Sequence, residues 1–586
     1  MRNGRKQQQL IILVILTLAV SIVVITAMVM NAKQPPVETL SDDIGQRVAL
    51  QKALQEAQLE EELLRQERDS IRGQLTDSAG IAVSGVVVSD GVTCALTDSA
   101  GRYALHRHRH AEFVYYSVPD YCAIPTHSES DHTACIYQAI TDTDSVYNFT
   151  LTRLPNGKET RFRMIVLGDP QVTNAQDPYF TGPNDSLISK SNLERFVDET
   201  MVDIRKTIAT TPNDVPVYGL SMGDNVQYTG GYNDTLQLGM RHVLGSSPMT
   251  IFSVIGNHDQ EGKRIYQKDW ENAWGPTNYS FNRGDVHYVV MNDCDFYHGK
   301  LYYSPGELSD IQMAWLTADL SLADKQKRVV LCYHIPFTFG NHPKREAKPL
   351  DISTELGHFL SSRFSHVMVL LLDFEGGYEL FCGHTHFALK HELQFDDHHI
   401  MERCHASAGG TIWQSNINIC GTPNGYYIYD FDGTTLTDAH YKGTRWDSGQ
   451  QMTLFRADQS FNKESYAEDW HLPKNKGIII ANVWNADSRW HLVAMENGVR
   501  RPMHRLDSLN QDAFATGYLH RYSKAVTYWY VSSRNSYLIM NHLYYYEPRS
   551  PKSLVFIKAI DPYGNTYTAS TTDIVTKPYF NFAHYY

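Results

Sequence analysis

"VLGDPQV", residues 166–172, reads as the end of a buried strand opening into a loop that carries chemistry. The apolar run Ile165-Val166-Leu167 stops at Gly168, and Asp169 and Gln171 follow with one residue between them. Asp-x-His at a strand tip would be a metal clip, but here the second position holds an amide, a weaker donor than imidazole. Working outward, a strand–loop–helix pattern repeats from Arg161. Strands are expected at 161–167, 215–221, 249–255, 286–291, 328–333 and 378–382, and helices at 186–209, 234–244, 308–320 and 351–362. The strand ends deliver, in order, "GDPQ" (168–171), "GDN" (223–225), "GNHD" (256–259), "CYH" (332–334) and "GHTH" (383–386). Any one of these says little: Asn257 beside Gly256 is ordinarily a turn residue, and a lone His334 a core histidine. Five in this order, each after an apolar run, predict a layered α/β domain with Asp, Asn and His presented at one edge. Those donors suit Mn, Fe or Zn.

On these clips the chain resembles the calcineurin-like metallophosphoesterases over roughly 161–440. The resemblance implies a four-layer (αββα) α/β domain with two divalent metal ions (Mn, Fe, Zn or Mg) at the strand ends. It places Asp169 and His386 on the first ion, with Gln171 at the usual imidazole position. It makes Asp224 the bridge, and Asn257, His334 and His384 the remaining ligands of the second ion. His258 is implied to assist the leaving group and Asp259 to orient it, with His405 behind the ligands. The implied function is metal-dependent hydrolysis of phosphomonoesters or phosphodiesters, with a bridging hydroxide as nucleophile. Two ions about 3.5–4 Å apart stabilise both attacking and leaving oxygens of such a displacement. Gln171 then implies an altered first-metal site that holds its ion less tightly or favours a harder ion such as Mn²⁺ or Mg²⁺. "WGPTNYSFNRGDVHYVVMND" (274–293), "GTPNGYYIYDFDG" (421–433), "NVWNAD" (482–487) and "DPYGNTY" (561–567) extend the resemblance to a bacterial exported subfamily. Members of that subfamily carry β-domains on both sides of the catalytic domain.

The flanks complete the plan for this 586-residue chain. Residues 1–9 form a basic tail, with Arg2, Arg5 and Lys6 ahead of the uncharged stretch Leu10–Met30. At about 1.5 Å per residue that stretch matches a bilayer core of about 30 Å, so 10–30 is expected to be a transmembrane anchor. A cleaved signal peptide is the rival, but its apolar region is usually about 7–15 residues. The positive flank predicts a single-pass, membrane-anchored protein with its catalytic part periplasmic or extracellular. Residues 31–79 read as a linker and helical stalk able to self-associate, since 44–76 is free of Pro and rich in Leu, Gln, Glu and Arg. Residues 80–154 alternate apolar and polar around Asp90-Gly91 and Ala100-Gly101 and resemble transthyretin-like β-sandwiches. The catalytic domain is expected at 155–446 and a β-rich C-terminal domain, again a sandwich, at 447–586.

A formal charge of −13 argues against nucleic acid as a partner, because phosphate backbones are held by Lys and Arg surfaces. None of the eight cysteines forms a C-x-x-C pair; Cys122–Cys135 and Cys404–Cys420 are candidates for pairing by proximity. A phosphate ester is the expected substrate, and no motif identifies its leaving group or the residues that bind it. The competing function is a non-catalytic, membrane-anchored glycan- or surface-binding module that uses the phosphoesterase fold as a scaffold.

Overall fold

The computed structural model describes residues 70–173, 191–228, 232–294, 306–338, 350–351, 363–395, 398–410, 413, 416–418, 420–458, 460–461, 464–465, 477–506 and 542–574. The strand Arg161–Leu167 lies inside a seven-stranded sheet, and its alternation builds two interfaces. Phe162, Met164 and Val166 pack into a core shared with a second seven-stranded sheet, whereas Ile165 and Leu167 pack with helices. The sheets meet through aromatic contacts: Phe252 stacks on Phe281 with centroids 3.6 Å apart, and Phe162 meets Tyr288 edge-on. Helices Val202–Thr210, Leu236–Gly245 and Arg264–Trp274 supply Ile204, Met240, Leu244 and Trp270 to the outer core of the first sheet. Helices Asp310–Leu322 and Phe364–Leu372 bring Trp315, Leu316 and Leu371 together with Val289, Leu331 and Leu380 of the second. Burying each such leucine contributes about 1.5–3 kcal/mol.

The strand directions gather the loops that matter. In the first sheet Arg161–Leu167 pairs parallel with Val217–Ser221, which pairs parallel with Thr250–Ser253. In the second, Val286–Val290, Arg328–Cys332, Tyr378–Cys382 and His398–Cys404 are likewise parallel neighbours. Parallel strands end on the same side, so the residues that follow them converge on one edge. Before them, Ser70–Asp77, Arg102–His106 and Phe149–Leu151 form one small sheet, and Cys94–Leu96, Val87–Ser89, Phe113–Tyr116 and Tyr137–Ala139 another. Near the C-terminus two four-stranded sheets share a core containing Met452, Ala481, Leu492 and Val555.

Several expectations are corrected. The described chain is mostly sheet with few helices, as befits a composition with 36 Tyr and 23 Phe. Ser70–Asp77, assigned to the stalk helix, is a strand that pairs parallel with Phe149–Leu151 and buries Ile71 and Leu75. No described helix is long and apolar enough to cross a membrane. The helical run over 192–210 has the length but carries Arg195, Asp198, Glu199, Asp203 and Lys206, while Asp310–Leu322 rises only about 20 Å. Single-pass anchoring is thus unsupported among the described residues, and nothing there supports self-association; the anchor at 10–30 and the stalk up to residue 69 lie outside them. The helix expected at 351–362 also lies there, except for Asp351, which belongs to the strand Leu350–Asp351. Thr126–Ser128 and Asp131–Ala134, expected inside a separate sandwich, extend the edge of the first central sheet through the Thr133–Ile251 pairing. All eight cysteines are free thiols; Cys382 and Cys404 are in-register neighbours with sulfurs 3.1 Å apart.

Candidate metal centre

Backbone conformation marks this edge before any side chain is considered. Asp169 (φ 36°), Gln171 (43°), Asp224 (49°), His384 (68°) and His386 (61°) all occupy the left-handed region. Non-glycine residues there cost on the order of 1–3 kcal/mol each and cluster at functional sites. The surrounding structure holds them by a web of bonds. Gln171 N donates to Asp224 O (2.7 Å), Met222 N to Leu167 O (2.8 Å), Ser407 Oγ to Asp169 O (2.8 Å) and Trp413 Nε1 to Pro170 O (2.7 Å). Gly256 is required by close approach, because a Cβ there would lie 2.2 Å from both Asp224 N and Oδ1.

The tips bring Asp169, Asp224, Asn257, His334, His384 and His386 together. One oxygen or ring nitrogen from each of Asp224, His334 and His384 lies within 4.8 Å of the others, as do those of Asp169, Asp224 and His386. Asp224 belongs to both groups. His334 Nδ1 faces the Met222 carbonyl at 2.8 Å, which fixes its proton there and leaves Nε2 directed at Asn257 Oδ1 (3.0 Å) and Asp224 Oδ2 (3.1 Å). Asn257 Oδ1 is also 2.8 Å from His384 Nδ1, and His386 Nε2 is 3.6 Å from Asp169 Oδ1. With neutral rings these nitrogens would meet oxygen lone pairs, so the arrangement calls for a positive charge, either a proton on His334 or a cation.

The donor set fits divalent ions on two counts. It combines carboxylate, amide and imidazole donors of the hardness that suits Mn, Fe or Zn. It also leaves buried polar atoms without a well-aligned hydrogen bond: both amide atoms of Gln171, Asp224 Oδ2, Asn257 Nδ2 and His386 Nδ1. Electrostatics agree. Burial, and then the neighbouring Asp224 charge, raise the Asp169 carboxyl well above its usual range. Burial would depress His334, but the Asp224 carboxylate outweighs it and lifts the imidazole to about 10. Burial, reinforced by the positive charge of His334, depresses His384. His386 is pushed down to about 4, chiefly by burial. In the metal-free cluster His384 and His386 are therefore neutral, while a proton on His334 offsets the Asp224 carboxylate; bound cations would take the place of that proton.

Other placements differ from expectation. His258 N donates to Asp224 Oδ1 (2.7 Å), so its backbone belongs to the cluster. The Asp259 oxygens accept from Gly256 N (2.8 Å), Val226 N (3.2 Å) and Gln237 Nε2 (2.7 Å). The ring nitrogen Nδ1 of His258 meets Glu261 Oε1 at 2.9 Å. His405 is occupied at both nitrogens, by Cys382 O (2.8 Å) and Tyr429 Oη (2.9 Å). Asp293, the last residue of the 274–293 stretch, was given no role, yet it is buried and accepts from the backbone N–H groups of His334 (3.0 Å) and Ile335 (3.0 Å). The signals available were its place at the end of that stretch and its position just after a buried strand.

Residues 69–154 match a family model described as the N terminal of calcineurin-like phosphoesterase, and residues 402–567 one described as the C terminal of calcineurin-like phosphoesterase. No curated protein matches the chain in sequence. Among solved structures, a purple acid phosphatase PPD1 from yellow lupin (Lupinus luteus) seeds is 12% identical, with a TM-score of 0.29 over 49% of this chain and 52% of its own. PhoD is 10% identical, with a TM-score of 0.30 over 65% of this chain and 89% of its own. The NAD nucleotidase (NadN) of Haemophilus influenzae is 9% identical, with a TM-score of 0.27 over 48% of this chain and 49% of its own. The chain thus spans about half the length of two of these three, and likenesses this slight carry no argument. The two family models do: they match the segments on either side of the strands that bear the donors, so the chain carries the N- and C-terminal regions of a calcineurin-like phosphoesterase.

Proposed function

We propose that the cluster is a two-ion centre that hydrolyses phosphomonoesters or phosphodiesters, with Asp224 shared between the ions. The observation that supports this most is the membership of Asp224 in two separate three-donor groups. Asp169, Gln171, Asp224 and His386 would hold one ion, and Asp224, Asn257, His334 and His384 the other. When bound, divalent ions supply positive charge against the phosphoryl oxygens and acidify a water for attack. The chain's own residues do the rest. The left-handed tips fix the donors in advance, so that little reorganisation remains when substrate binds. Met222 O and Asp293 orient His334, the first through its ring and the second through its backbone. His258 donates a proton from Nε2 to the departing oxygen, since its Nδ1 is engaged by Glu261.

The test is hydrolysis of 4-nitrophenyl phosphate and bis(4-nitrophenyl) phosphate by protein stripped with a chelator and reloaded with Mn²⁺, Fe²⁺, Zn²⁺ or Mg²⁺. Turnover should vanish on stripping and return with at least one ion. Folded protein that turns over neither ester with any of them would overturn the proposal and leave a non-catalytic binding module.

A further inference from the structure

We infer that Glu261 is the positioning residue of His258, the place that the resemblance gives to Asp259. This rests on the leaving-group role proposed for His258. The short helix Asn257–Gln260 ends at Glu261, which takes a left-handed conformation (φ 45°) and donates its N–H to Asn257 O at 2.8 Å. That turn folds the Glu261 side chain back over the helix and brings Oε1 to 2.9 Å from His258 Nδ1. Both side chains are mostly buried, with 19% and 29% exposure, so the contact is shielded from competing water.

Asp259 serves other partners. Its two oxygens accept from two backbone N–H groups and from Gln237, and so tie the tip of Thr250–Ser253 to the loop after Val217–Ser221. Glu261 has a different place in the structure. A carboxylate at Nδ1 keeps that nitrogen protonated and leaves Nε2 as the atom that passes a proton to the leaving oxygen. The backbone supports a functional reading as well. Gly262 follows with φ 66°, so two successive residues are left-handed, and a glutamate is retained where glycine would sit without strain.

The experiment compares Glu261→Gly, which removes the carboxylate while suiting the left-handed backbone, with Glu261→Gln, which keeps an acceptor oxygen. An alkyl phosphate and 4-nitrophenyl phosphate serve as substrates for Mn²⁺-loaded protein. An alkoxide needs a proton to depart and 4-nitrophenolate scarcely does. Glu261→Gly should therefore lower kcat on the alkyl ester by about 10- to 100-fold and on the aryl ester by much less, with Glu261→Gln between wild type and Glu261→Gly. In a His258→Ala background, Glu261→Gly should add less than about twofold. Metal content, measured alongside, should be unchanged in both single variants. An equal loss on both esters, full additivity with His258→Ala, or loss of metal in Glu261→Gly would overturn the positioning role. If His258→Ala itself left alkyl-ester turnover intact, the role of His258 would fail first, and the two failures are told apart by that variant alone.

Discussion

Replacing Gly256 by alanine puts a methyl carbon where the structure has no room for one. The added Cβ would lie 2.2 Å from the backbone nitrogen of Asp224 and 2.2 Å from its Oδ1. Ordinary contact begins near 3.4 Å, so about 1.2 Å of movement is needed. A rotamer change can relieve the carboxylate but not the backbone nitrogen, so the Asp224 tip itself must shift. Misplacing a reacting group by about 1 Å costs on the order of 10²-fold in rate, and overpacking a dense site costs about 1–3 kcal/mol of stability. Gly239 is the matched control: it sits in the helix Leu236–Gly245, and nothing lies within 4 Å of an added Cβ. Gly239→Ala should keep full turnover and gain about 0.5–1 kcal/mol from helix propensity. The assay is kcat on 4-nitrophenyl phosphate at saturating Mn²⁺, with thermal unfolding of the metal-free proteins in parallel. Wild-type kcat in a folded Gly256→Ala protein would refute the claim that the placement of Asp224 governs the site.

Other expectations can be checked independently. Gln171→His should add an imidazole to the Asp169–His386 side and move metal preference from Mn²⁺ towards Zn²⁺ by about tenfold or more in competition binding; an unchanged preference would remove Gln171 from the ligand set. Acid should destabilise the metal-free fold through His405 and His542, both buried and, chiefly by burial, depressed to about 3. The unfolded chain takes up their protons first, so their contribution is complete above about pH 6.5 and declines as pH falls towards 3, by about 1.4 kcal/mol per pH unit for each. Denaturant unfolding of His405→Asn between pH 7 and 5 should show a slope shallower by about that amount; an unaltered slope would contradict the assignment.

The strand tips were legible because each joins two local signals, an apolar run and a Gly–polar turn, and both depend on adjacent residues. The strands accordingly fall where the apolar runs do, at Arg161–Leu167, Val217–Ser221 and Tyr378–Cys382 among others. What local pattern cannot carry is which side chain a turn aims where. Asp259 adjoins His258, yet the left-handed turn at Glu261 brings the more distant carboxylate to the ring. Asp293 ends a stretch that was legible, but its bond to the His334 backbone joins two different strand ends and so was not. Ser70–Asp77 shows the opposite failure: Gln, Arg and Leu favour helix locally, but pairing with Phe149–Leu151 and burial of Ile71 and Leu75 decide for strand.

The sharing of Asp224 between two ions is the centre of the account, and metal stoichiometry reads it directly. Purified wild-type protein and Asp224→Asn, each equilibrated with Mn²⁺ and passed through a desalting column, are compared by elemental analysis per chain. The account predicts two ions per chain in the wild type and one or none in the variant, because the amide removes the charge that holds the pair together. Equal stoichiometry in the two proteins, or no retained metal in the wild type, would contradict it.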